Sequence, residues 1–215
     1  MNHQPFLSGL TLNPLSLIVP FMEWPQFIEK LFQLAEPYLS VRNDLLHTQI
    51  AHRYSLSLLR AEGGDRRMVE PAVILHDVGW SKLTPDQIKI AFGIRAGGQE
   101  AKRLNRIHEV EGAVIAGILL QTLNYAPLLI ERITPMIERH DSGNHPESLE
   151  EKILKDSDKL WRFSGIGFRH ENERQGVEPF EMLHFLERLI ACLFTPDAKR
   201  MAAEELKARK REITD

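Results

Sequence analysis

The chain has 215 residues, 43% of them apolar and 27% charged, an ordinary globular composition that excludes a disordered or collagen-like chain. Lys plus Arg number 27 against 30 for Asp plus Glu, a net charge of −3, which argues against general nucleic-acid binding, since phosphate neutralisation needs an excess of positive charge. A single cysteine, Cys192, excludes an intramolecular disulfide and a four-thiolate zinc site and points to a reducing cytoplasm.

Apart from His3, no basic side chain precedes Lys30, and the apolar run from Leu15 to Met22 is broken by Pro20. Neither a secretory leader nor a membrane span is expected from such a pattern. Residues 1–24 read as an arm packed on its own domain or on a partner subunit.

The pattern that follows is helical. Phe27, Leu31, Leu34, Ala35 and Tyr38 share one face of a helix over 24–39. Asn43 or Asp44 opens a second, with Leu46, Ile50, Tyr54 and Leu58 on one stripe and Gly63-Gly64 at its end. Residues 66–78 form a short apolar helix with Pro71 near its start. Thr84-Pro85-Asp86-Gln87 is a capping box, and 93–98 read as a loop. His108 to Leu123 is amphipathic and stops at Asn124, and a further helix covers 127–139. The polar stretch 141–146 is a loop. Ser148 and Glu151 form a second capping box, opening a helix through Phe163. Residues 165–176 read as a long loop, and 179–194 and 196–212 as the last helices.

The expected fold is therefore all-α: one helical domain, with an arm and helix at 1–40, a core at 41–164, and C-terminal helices at 165–215 completing the same domain. The N-terminal arm and the amphipathic stretch 178–194 make a homodimer plausible.

The chemistry centres on His76-Asp77. This pair ends the apolar run Ala72-Val73-Ile74-Leu75. Two adjacent ionisable groups at the end of a buried helix are costly unless they are paired or bind a metal. An imidazole beside a carboxylate is a natural half-site for a borderline divalent ion. His47, His108, His140 and Asp158 fall on separate predicted helices, and a helical domain can aim such side chains at one centre.

The stretches DLLHTQIAHRYSLSLLRAEGGD, PAVILHDVGW, HEVEGAVIAGILL and LEEKILKDSDKL resemble the HD-domain metal-dependent phosphohydrolases over roughly residues 44–162. The resemblance implies a helical HD-type bundle, a divalent ion (Mn, Fe, Co, Ni or Zn), and metal-activated water attacking a small phosphorylated substrate. It makes His47 the first ligand, His76 and Asp77 the pair that names the family, and Asp158 the distal aspartate. His52 competes with His47, but only His47 places Ala51 and Leu58 where the family has small and apolar residues. Asp156 competes with Asp158 and reads instead as a supporting or helix-start residue.

His108 and His140 decide between one ion per chain and two. Two-ion branches add two such histidines, with the aspartate of the pair bridging. The alternative is contact of these histidines with phosphate or water. His145, His170 and His184 read as structural or surface. Asp77 is also expected to orient the attacking water. Lys82, Arg139, Lys155, Lys159 and Arg162 are the candidate phosphate-binding cations.

One departure matters. Many relatives have a lysine where this chain has Trp80, which leaves Lys82 as the nearby catalytic cation and weakens a cyclic-dinucleotide phosphodiesterase reading. Trp80 itself reads as either a base-stacking or a core residue. A few proteins of this fold hold two irons and use dioxygen to cleave C–C or C–P bonds. The same six ligand positions allow that alternative.

Overall fold

The structure, a computed structural model, describes residues 22–214, so most of the expected N-terminal arm lies outside the described residues. Ten α-helices make up the described chain. They are α1 (Trp24–Leu39), α2 (Leu45–Glu62), α3 (Arg66–Leu75), α4 (Pro85–Ala91), α5 (Gly98–Thr122), α6 (Pro127–Glu138), α7 (Leu149–Leu160), α8 (Gly165–Gln175), α9 (Pro179–Leu189) and α10 (Pro196–Thr214). No strand occurs among the described residues.

Helix α3 is the centre of the bundle. Every residue from Met68 to Leu75 is buried, and α3 packs on α2, α6, α7 and α1. One core cluster draws on helices from Phe27 of α1 to Leu206 of α10. Pro71 lies inside α3 rather than at its start. A proline there leaves the carbonyl four residues back without its helical donor. Tyr125 supplies the replacement, its hydroxyl donating to the Arg67 carbonyl over 2.6 Å.

Three expectations are corrected. Helix α3 stops at Leu75, and a 3-10 turn at Val78–Lys82 follows. Helix α5 begins ten residues before His108, because Ala101 and Leu104 continue the buried stripe backwards from His108 through residues 99–107, which the sequence pattern leaves unassigned, to Gly98 at the end of the expected loop. Residues 165–175 are helix rather than loop: Ser164 caps the start by accepting from the Gly167 amide, and Gly176, at φ 58°, closes the end. The glycines that suggested a loop there serve packing. A Cβ on Gly167 would lie 1.9 Å from the Trp161 carbonyl oxygen.

The cap of α4 forms as expected, with Thr84 and Gln87 reciprocating. That of α7 forms by half. Ser148 accepts from the Glu151 amide, but the Glu151 carboxylate accepts from the Glu147 amide and from Arg139.

Candidate metal centre

Six buried side chains converge from five segments. His47 sits on the first turn of α2, and Asn43, at φ 58°, turns the chain into that helix. His76 caps α3, and Asp77 bridges to the following 3-10 turn. His108 faces inward from the middle of α5, His140 follows the end of α6, and Asp158 lies on the last turn of α7. All six are at most 8% exposed.

The donor atoms form two groups that share Asp77. On one side, His47 Nε2 lies 3.2 Å from Asp158 Oδ1 and 3.9 Å from Asp77 Oδ2. His76 Nε2 lies 3.4 Å from Asp77 Oδ2 and 3.5 Å from Asp158 Oδ1. On the other side, Asp77 Oδ1 lies 3.6 Å from His140 Nε2 and 3.9 Å from His108 Nε2, and the two Nε2 atoms are 3.4 Å apart.

The ring orientations suit metal binding. His76 Nδ1 is 2.8 Å from the Val73 carbonyl and His140 Nδ1 is 2.8 Å from the Ile137 carbonyl. A carbonyl only accepts, so each Nδ1 carries the hydrogen and each Nε2 can turn a lone pair into the cluster. Buried Nε2 atoms of His47 and His76, and Nδ1 atoms of His47 and His108, have no hydrogen-bond partner among the described residues.

Ligand atoms about 2.0–2.1 Å from a common ion stand roughly 3 to 3.4 Å apart. The observed separations fit that spacing with small contraction. The residues therefore fit one divalent ion held by His47, His76, Asp77 and Asp158, and a second held by Asp77, His108 and His140.

The electrostatics agree with this arrangement. Burial lowers the pKa of His47, and burial together with His140 lowers that of His108 well below the usual imidazole value. Burial also opposes charge on His76, but the Asp77 and Asp158 carboxylates outweigh it and raise its pKa to about 9. Against their own burial, His76 and Arg42 hold Asp77 far below the usual carboxylate range, and His47 and His76 do the same for Asp158. A divalent ion would displace the His76 proton, since ligands bind metal in their deprotonated form.

The competing residues lie elsewhere. His52 pairs with Glu70 at 2.9 Å. Asp156, inside α7, accepts from the Phe194 and Thr195 amides and the Thr195 hydroxyl and so supports the entry to α10. His145 and His184 are exposed. Arg139 is bound to Glu147 and Glu151, and Lys155 donates to the carbonyls of Arg139 and His140. Both hold the His140 loop in place.

Two buried side chains were not anticipated. Glu109 accepts from the Asp141 and Ser142 amides at 2.8 Å each and fixes the chain after His140. Arg42 donates to Asp77 Oδ2 at 2.7 Å and to Asp44 Oδ2 at 2.5 Å, with its guanidinium over the rings of Trp80 and Phe92. In sequence, Arg42-Asn43-Asp44 looks like an ordinary polar turn, and nothing there signals a buried arginine.

A cavity of about 300 Å³ opens onto Asp77, His108, His140 and Asp158. Its walls include Phe92, Asn105 and Gln175, and also Phe185 and Leu189 of α9. Lys159 and Arg162 line it as well. Among the described residues Lys159 makes no ion pair, and the nearest carboxylate to Arg162 is Asp158 at 3.9 Å. Lys82 is exposed and does not line the cavity, so the structure does not bring it to the site.

No protein-family model matches the sequence, and no curated protein gives a significant match. Solved structures do match. One is a predicted HD superfamily hydrolase from an uncultured Thermotogales bacterium, 17% identical over 86% of this chain and 88% of that one, with a TM-score of 0.59. A second is an HD-superfamily hydrolase from Bacillus thuringiensis, 22% identical over 88% and 94%, with a TM-score of 0.59. A third is Bacillus subtilis YpgQ, 18% identical over 87% and 92%, with a TM-score of 0.57. At these identities the likeness is one of fold: the chain has the all-α HD-superfamily fold. No helix among the described residues is long and apolar enough to cross a membrane.

Proposed function

We propose that this protein is a divalent-metal-dependent hydrolase that cleaves a phosphate ester of a nucleotide or another small phosphorylated metabolite. One observation carries the reading. Asp77 turns one carboxylate oxygen toward His47 and His76 and the other toward His108 and His140, with all five side chains buried. Two structures of the same fold are named as HD-superfamily hydrolases, which supports the class.

The donor set of imidazole and carboxylate suits Mn, Fe, Co, Ni or Zn better than Ca. Such an ion supplies Lewis acidity and a water of lowered pKa when bound. The chain's own residues do the rest. Lys159 and Arg162, beside Asp158, hold the phosphoryl oxygens and offset charge that develops on them. Arg162 is steadied by its Nη1 donating to the Asp158 carbonyl at 3.2 Å. Asp77, kept ionised, orients the attacking water. Phe92, Phe185 and Leu189 give the organic part of the ester an apolar wall. The cavity volume suits a small metabolite rather than a polymer.

The test is phosphate release from a panel of nucleotides and phosphate esters. Chelator-stripped protein would be compared with protein reloaded with Mn²⁺, Co²⁺, Ni²⁺ or Zn²⁺. The expected result is release only with added ion, abolished by Asp77→Ala. No release with any ion and any ester contradicts the proposal. Dioxygen consumption by the Fe²⁺-loaded protein instead would favour the oxygenase chemistry.

A further inference from the structure

The histidines of the cluster are not held alike. His76 and His140 are each locked through Nδ1 to a carbonyl three residues back. His108 has no such lock, and its buried Nδ1 meets no partner among the described residues. Metal-ligating imidazoles ordinarily need a group behind them to fix ring orientation. Against the face of His108 lies the indole of Trp80, stacked on the imidazole with ring centroids 4.1 Å apart and planes 14° from parallel. The same indole donates from Nε1 to Asp77 Oδ1 over 3.0 Å. Asp77 Oδ1 is the oxygen that faces His108 and His140.

The backbone is built to seat this ring. Gly79 lies so close to α5 that a Cβ there would stand 1.9 Å from the His108 carbonyl oxygen and 2.5 Å from the Gly112 amide nitrogen. That approach brings the next residue, Trp80, onto the His108 side chain. Trp80 is 3% exposed. Its pyrrole N–H is directed at a carboxylate, which a pure core filler would not need.

We infer that Trp80 is the positioning residue for the second ion position, orienting His108 by stacking and Asp77 Oδ1 by hydrogen bond. The first ion position, built on His47, His76, Asp77 Oδ2 and Asp158, depends on it less, since Trp80 reaches that position through the shared Asp77 carboxylate, whose Oδ2 Arg42 also holds. The inference rests on the two-ion reading of the site.

The test is titration of chelator-stripped protein with Co²⁺, following heat and the visible d–d absorption, for wild type, Trp80→Phe and Trp80→Leu. Wild type is expected to bind two ions per chain. Trp80→Phe keeps the stack and loses the N–H, and its second ion is expected to bind about 10-fold more weakly. Trp80→Leu loses both, and its second ion is expected to weaken by about 100-fold, at the upper end for loss of a supporting group. The first ion is expected to weaken by much less than the second in both. A merely structural role would weaken both ions equally, and that outcome overturns the inference.

Unchanged binding of the second ion overturns it too while leaving the metal reading intact. One ion in the wild type removes the second position and with it the inference. No ion in the wild type removes the hydrolase reading as well. If Trp80→Leu does not fold, as judged by circular dichroism, Trp80→Phe decides.

Discussion

Arg42 donates from Nη2 to Oδ2 of Asp77 over 2.7 Å, between two side chains that are only 6% and 5% exposed. The contact is one link in a buried chain of alternating charge. Arg42 also pairs with Asp44, Asp44 with Arg174, and Arg174 with Glu171 of α8. The candidate metal ligand is thus tied to the segment between α1 and α2 and to α8.

Removing Arg42 would leave Asp44 and Asp77 as buried carboxylates short of a counter-charge. Loss of one partner from a buried pair costs about 3–5 kcal/mol. Arg42→Met is therefore expected to lower unfolding stability by about that amount in urea titrations of metal-free protein. A change below about 1 kcal/mol, the scale of an exposed pair, would show that the chain of charges contributes nothing to the fold.

Asp77 belongs to both halves of the cluster, and its neighbours belong to one. Asp77→Ala is expected to abolish ion binding while helical content by circular dichroism stays near wild type. His108→Ala is expected to reduce two ions per chain to one. Retention of both ions in Asp77→Ala would remove the basis of the site assignment.

On the proposed reading an ion binds the folded state and not the unfolded one, because only folding brings the unpartnered imidazole nitrogens and ionised carboxylates together. Folded-state binding at 100 times the dissociation constant adds about 2.7 kcal/mol. Thermal unfolding of stripped protein is expected to move upward with Mn²⁺, Co²⁺ or Zn²⁺ and to return on adding chelator. A midpoint insensitive to all three ions would contradict the fit.

Glu70 carries a pH effect away from the site. Burial raises its pKa, but hydrogen bonds from His52, Arg66 and Trp24 outweigh that and hold it below the usual glutamate value of 4.5. Because the folded value lies below the unfolded one, the stability it contributes is complete above about pH 4.5 and is lost as pH falls through the folded value. Glu70→Gln is expected to cost about 1–2 kcal/mol at pH 7. The deficit should shrink in acid, measured by denaturant titration at several pH values. A deficit independent of pH would assign the effect to shape alone.

Much of the fold is legible in the sequence, because its helix stops are strong. Gly63-Gly64, the Thr84 cap and Asn124 each mark a boundary the structure reproduces. Glycines misled where they serve close approach instead of turning. Gly165 and Gly167 made α8 look like a loop, and Gly97-Gly98 hid the first turns of α5. The six clustered residues are legible because each interrupts an apolar pattern or matches a known spacing. Arg42 and Glu109 are not, because their partners, Asp77 and the chain after His140, lie 35 and 32 residues away. Lys82 illustrates the converse: closeness in sequence to His76-Asp77 does not bring it to the cavity, since the 3-10 turn at Val78–Lys82 points Trp80 inward and leaves Lys82 exposed.

The most direct test of the central claim is the ion-to-chain ratio, by plasma mass spectrometry, of tag-free protein equilibrated with Mn²⁺ and then dialysed, with Asp77→Ala treated identically. Two ions per chain are expected in the wild type and none in the variant. No bound ion in the wild type, or an equal ratio in both proteins, would contradict it.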